Sequence, residues 1–88
     1  MLEAIYSKVF LKDAEKAKKR GKQIDKLMHV HDLLLKDIIL PAQYRNHKLK
    51  GNYVHHFECH IQPDWLLIYR KTKTQVFFAR TGTHSDLF

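Results

Sequence analysis

The stretch His56-Phe-Glu-Cys-His60-Ile-Gln-Pro-Asp64-Trp65 crowds imidazoles and carboxylates beside an indole within ten positions. A second such stretch, Arg80-Thr-Gly-Thr-His84-Ser-Asp-Leu-Phe88, closes the chain. Proton-exchanging groups at this density suit a reaction better than a core. One chemistry that they fit is metal-free cleavage of RNA, in which the ribose 2′-hydroxyl attacks its own neighbouring phosphate. That reaction needs a base, an acid and cations facing the phosphorane, and no cofactor. His60, Asp64 and His84 are candidates for the proton transfers, with His47 in reserve. Arg80 and nearby lysines would answer the phosphate charge. Trp65 and Phe88 offer ring faces on which an unstacked base could lie.

Two other readings of the same residues stay open. If the chain from Tyr53 to Ile61 is a strand, its period of two sets His56, Glu58 and His60 on one face and His55, Phe57, Cys59 and Ile61 on the other. The first set has the ligand types of a zinc site, although all three come from one element and no cysteine pair accompanies them. The other reading has no catalysis: a nucleic-acid binder whose histidines pack, with Trp65 in the core beside Leu66 and Leu67. His29 and His31 then read as surface and half-buried residues of a helix, and His55 and His56 as strand packing.

Stepping outward along the chain, Leu2 to Tyr6 reads as a first strand and Ser7 as the N-cap of a helix from Lys8 to Arg20, which Gly21 ends. Ile24, Leu27, Met28, His31, Leu34, Leu35 and Ile38 form a helical stripe over Gln23 to Asp37, stopped by Pro41. Ala42 to Asn52 is a basic loop. Three strands follow, Tyr53 to Ile61, Trp65 to Lys71 and Gln75 to Thr81, with Pro63 in the first turn and a short Lys71-to-Thr74 connection in the second. Tight turns make such neighbours antiparallel. The expected fold is α+β: two N-terminal helices on a small, mainly antiparallel sheet, in the order β-α-α-β-β-β, with residues 1–88 forming one domain.

Charge points to the partner. The 88 residues carry 16 Lys and Arg against 9 Asp and Glu, a formal +7. Eight of the basic residues lie between Lys8 and Lys26, facing only Asp13, Glu15 and Asp25. So one-sided a helix surface suits a phosphate backbone. No apolar run approaches the roughly 20 residues that span a bilayer, and the N-terminus lacks a signal-peptide layout, so a cytoplasmic protein without membrane contact is expected. The single cysteine, Cys59, falls on the apolar side of its strand and reads as inert.

His60-Ile-Gln-Pro-Asp-Trp-Leu-Leu-Ile-Tyr69 and Arg80-Thr-Gly-Thr-His-Ser-Asp-Leu-Phe88, preceded by His47-Lys-Leu-Lys-Gly51, resemble the YafQ branch of the RelE/ParE superfamily of bacterial toxins. The likeness runs over nearly the whole chain. It implies a ribosome-dependent messenger-RNA endonuclease of a type II toxin–antitoxin pair, working by 2′-hydroxyl attack without metal. It further implies an antitoxin partner whose acidic segment folds over the basic groove. The family's catalytic positions fall on His47, His60, Asp64 and His84, with Trp65 and Phe88 beside them. The resemblance makes His84 the general acid, Asp64 or His60 the base and His47 an orienting partner. Relatives usually carry Arg where this chain has Phe57, which would shift phosphate contact to Arg80 or Lys50. A ParE-like gyrase poison, or an RNA or ribosome binder without catalysis, is the alternative.

Overall fold

Every position of Trp65-Leu-Leu-Ile-Tyr69 is apolar, and the computed structural model, which covers residues 1–88, buries all five. They lie in the central strand of a five-stranded sheet of order β1-β5-β4-β3-β2. The strands are β1 (Glu3–Tyr6), β2 (His47–Lys48), β3 (Phe57–Gln62), β4 (Trp65–Lys71) and β5 (Gln75–Gly82). β1 runs parallel to β5 and the other pairs are antiparallel.

Two helices, α1 (Lys8–Lys19) and α2 (Ile24–Leu35), cover one face of this sheet. Ser7 starts α1: its Oγ accepts the Phe10 N–H at 2.9 Å and donates to the Ala79 carbonyl at 2.7 Å, which ties the cap to β5. Gly21, at φ 83°, takes the left-handed turn after α1 that only glycine adopts without strain. The main core joins Phe10, Leu27, Val30 and Leu34 from the helices to Cys59, Trp65, Leu67, Val76 and Phe78 from the sheet. A smaller cluster of Leu66, Ile68, Ala79 and Leu87 lies apart from it, on the alternate positions of β4. Leu87 comes from α3 (His84–Leu87), a one-turn helix that ends the chain.

The α+β class and the mainly antiparallel sheet match expectation, and the element order is corrected in two places. β2 and α3 were both absent from the β-α-α-β-β-β reading. Each is too short to show a period: β2 is two residues long and α3 four. β3 also begins at Phe57 and not at Tyr53, because Gly51–Tyr53 coil into a 3₁₀ turn and His55 takes φ 70°. In α2 the buried stripe is Leu27, Val30, His31, Leu34 and Leu35, so Val30 is buried where Met28 was expected and Met28 faces solvent; Ile38, past the end of α2, is exposed too.

Phe78 shows how tightly the main core is built. It is wholly buried, with ring centroids of Tyr6, Phe10 and His31 at 5.4, 5.6 and 4.8 Å. Phe78→Ala is expected to destabilise the protein by about 3 to 5 kcal/mol, read from urea unfolding midpoints.

Candidate active site

The sheet face away from α1 and α2 carries the clustered imidazoles and carboxylates. In β3, Phe57, Cys59 and Ile61 belong to the core beneath the helices, so Glu58, His60 and Gln62 point the other way. Pairing with β2 sets His47 directly opposite Glu58. Glu58 is 5 % exposed, and its Oε1 stands 3.3 Å from His47 Nε2 and 3.5 Å from His60 Nε2. His47 Nδ1 lies 2.8 Å from the Arg45 carbonyl, which can only accept, so that nitrogen carries the hydrogen.

His84 reaches the same place from the far end of the chain. Its ring centroid is 5.9 Å from that of His60, which is 6.2 Å from that of His47. Asp64 Oδ1 accepts both the His84 backbone N–H at 3.0 Å and Nδ1–H at 2.7 Å. These two bonds, backbone first, hold the Asp64 carboxyl below its ordinary range, helped by the charge of His84 and of Lys22. Asp64 is therefore a fixed carboxylate that orients His84, and a weak base.

The turn bearing His84 is itself fastened. Thr83 Oγ1 accepts the Asp86 N–H at 3.1 Å and Asp86 Oδ2 accepts the Thr83 N–H at 3.0 Å, a capping box. Arg20, the C-cap residue of α1, grips the same carboxylate at 2.7 and 3.3 Å. Asp86 is accordingly held far below the usual carboxylate range, by Arg20 first and the Thr83 amide second. At Gly82 an added Cβ would stand 3.0 Å from the Asp86 side chain, so glycine lets the strand end and α3 close on each other.

Of the expected site residues, His47, His60, Asp64 and His84 converge, and Phe88 is 64 % exposed, edge-on to Tyr53. Lys50 is exposed. Two readings are corrected. Trp65 is 1 % exposed and faces the helices, with Nε1 donating to Thr81 Oγ1 at 3.0 Å; its ring is core and cannot lie against a base. Arg80 is no free cation, because Asp13 of α1 takes its guanidinium at 2.7 and 3.2 Å. Arg45, unpaired and exposed, borders a hollow with His60 instead.

The strand-face grouping of His56 with Glu58 and His60 is also revised. His56 precedes β3 and turns its Nδ1 to the Val54 carbonyl. His47 takes that place, and the ligand atoms of His47, Glu58 and His60 lie within 4.8 Å of one another. Two imidazoles and a carboxylate from two strands suit a zinc or copper ion. An ion held there would occupy nitrogens that proton transfer requires. Phe57 stacks on Tyr69, ring centroids 5.6 Å apart, on the helix side, away from this cluster. Cys59 is buried and its thiol pushed up to about 12 by burial and by Glu58, consistent with inertness.

A family profile described as bacterial toxin of type II toxin-antitoxin system, YafQ, matches residues 2–88. The mRNA interferase toxin YafQ of Escherichia coli K12 is 42 % identical over 84 residues, 94 % of this chain and 91 % of that protein. Among solved structures, the toxin of the E. coli DinJ–YafQ toxin–antitoxin complex superposes with a TM-score of 0.93 at 40 % identity, over 99 % of this chain and 97 % of that one. A metal-bound toxin from Helicobacter pylori gives 0.93 at 38 %, over the whole of both chains.

Two outcomes follow from this geometry. The Asp64 carboxyl should titrate below the usual value of about 3.9 by NMR, and His84→Ala should move it only part of the way back, because the backbone N–H remains. The hydrogen bonds to Asp64 are then complete above the ordinary carboxylate range and are lost as pH falls through the lowered pKa. Trp65→Phe should lower stability by about 1 to 3 kcal/mol in chemical unfolding while leaving affinity for single-stranded RNA unchanged.

Proposed function

Because the chain belongs to the YafQ family of type II toxin–antitoxin toxins, we propose that it is an mRNA interferase, cutting message on the ribosome through a single domain spanning residues 1–88. The observation that carries the reading is the meeting of His60 and His84 on an exposed sheet face, 5.9 Å apart, with Asp64 fixing the second ring.

Cleavage by the 2′-hydroxyl needs a proton removed on one side of the phosphate and delivered on the other. Since Asp64 takes Nδ1–H of His84, the Nε2 of that ring is left to meet substrate, and His84 protonates the departing 5′-oxygen. His60 removes the 2′-proton. Asp64 is a poor choice for that step because its lowered pKa weakens it as a base. Glu58 lies behind His60 and His47 and steadies both imidazoles as charge moves through them. Lys50 and Arg45 take the phosphate contacts that Arg80, engaged by Asp13, does not. Phe88 is the stacking face. The reaction uses no metal or cofactor.

The lysines of α1 face outward and supply sequence-independent contact with ribosomal and messenger RNA. A cognate antitoxin with an acidic segment fits the same surface, and E. coli YafQ crystallises with DinJ. No helix is long and apolar enough to cross a membrane, which accords with action in the cytoplasm.

His84→Ala should slow cleavage by about 100- to 10,000-fold and abolish growth arrest on induction, with fold and ribosome binding retained. An undiminished toxin would refute the assignment. Mapping 5′ ends of cellular RNA after induction should show cuts in codon register. Intact messages with stalled replication would favour a gyrase poison.

A further inference from the structure

Beside the histidines lies a hollow of about 370 Å³ bordered by Gln43, Tyr44, Arg45, His60, Gln62 and Pro63. Of its residues only His60 is assigned a proton transfer; Gln43, Tyr44, Gln62 and Pro63 are not. Its residues come from a 3₁₀ turn, Ala42–Tyr44, and from the end of β3 with the bulge that follows His60. Arg45, at φ 48° in the left-handed region, turns the chain there, and its carbonyl holds His47. The hollow is therefore built into the same backbone that sets the site. Gln43 and Arg45 are exposed and Gln62 half-buried, and no side-chain hydrogen bond or ion pair ties any of the three within the molecule.

A second hollow, about 560 Å³, also lies against Gln43 and Tyr44 and is lined by Asp25, Lys26 and His29 of α2.

From this we propose that the first hollow receives one unstacked nucleobase of the message next to the scissile phosphate, with Gln43 and Gln62 reading its edge. The inference rests on the nuclease reading above. Its volume is within the range of about 300 to 1,000 Å³ of small-ligand sites. Phosphate alone would want donors only, whereas a carboxamide offers donors and an acceptor together and matches the mixed edge of a base. Tyr44 supplies a flat surface of the kind on which splayed bases stack, and Pro63 adds apolar wall. The residues that choose where to cut would then be distinct from those that cut.

The test compares 5′-end maps of cellular RNA after induction of the wild type and of Gln43→Ala/Gln62→Ala, both purified in parallel to confirm equal folding by circular dichroism. In the variant, the ratio of cuts at the favoured base to cuts at the other three, at one fixed position beside the cut, should fall by about 5- to 150-fold, the loss expected for one bidentate amide–base pair. Each single variant should show a smaller fall at that same position. An unchanged base profile overturns the inference. So does a folded variant that makes no cuts, which would assign this wall to the chemistry itself. If the wild type produces no new 5′ ends, the nuclease reading fails, and that result is distinct from either.

Discussion

A one-residue slip in the pairing of β3 with β4 would turn Glu58 and His60 beneath the helices and bring Phe57 and Cys59 into water. The cluster would be lost with that slip, since the β2–β3 pairing is what sets His47 opposite Glu58. The register is protected by burial: Cys59 opposite Leu67 and Phe57 opposite Tyr69 are held by the main core, and Glu58 faces the buried Ile68. The hydrophobic effect under the helices therefore aligns the polar groups on the far side of the same strands. A sheet one side chain thick serves as core on one surface and as a template for imidazoles on the other.

Short elements at the rim complete what register begins. α3 has too few residues to hold itself, as a single turn fixes several dihedral angles for one hydrogen bond. Its stability comes from outside: Leu87 buried against Leu66 and Ile68, the Thr83–Asp86 box, and Arg20 reaching across from α1. α1 also sends Asp13 to Arg80 and to the Thr81 amide. Two carboxylate–guanidinium pairs of opposite polarity thus stitch one helix to the strand and turn that present His84.

Much of this was legible in the chain. Hydrophobic period and caps place α1, α2, β4 and β5 to within a residue or two, because Ser7 is a favoured N-cap, Gly21 tolerates the left-handed turn that ends α1, and the apolar run at Trp65 must be buried. The convergence of His47, His60, Asp64 and His84 was readable from their motifs. What escaped depends on contacts between distant segments. Glu58 reads from sequence as a possible ligand beside His56 and His60, and only the pairing of β2 shows that His47 stands in the place of His56. Arg80 and Trp65 have side chains suited to RNA, and only the tertiary partners Asp13 and the α1–α2 layer reveal that both are already engaged. Gln43 carries no signal of period or motif, Gln62 falls inside a motif read for its His and Asp, and only the folded hollow brings the two onto one wall.

The pairing of acids has an outcome for how the molecule meets others. Asp13, Asp37, Glu58, Asp64 and Asp86 each stand against an arginine, lysine or histidine of the same chain. Close-range repulsion of a negatively charged body is therefore reduced at those five acids, while Lys8, Lys12, Lys18 and Lys19 along α1 stay unpaired and exposed. Diffusive capture of a polyanion is accelerated from roughly a Debye length away, about 8 Å in physiological salt, and before any specific bond forms. Orientation then begins in the encounter itself, with α1 as the leading edge.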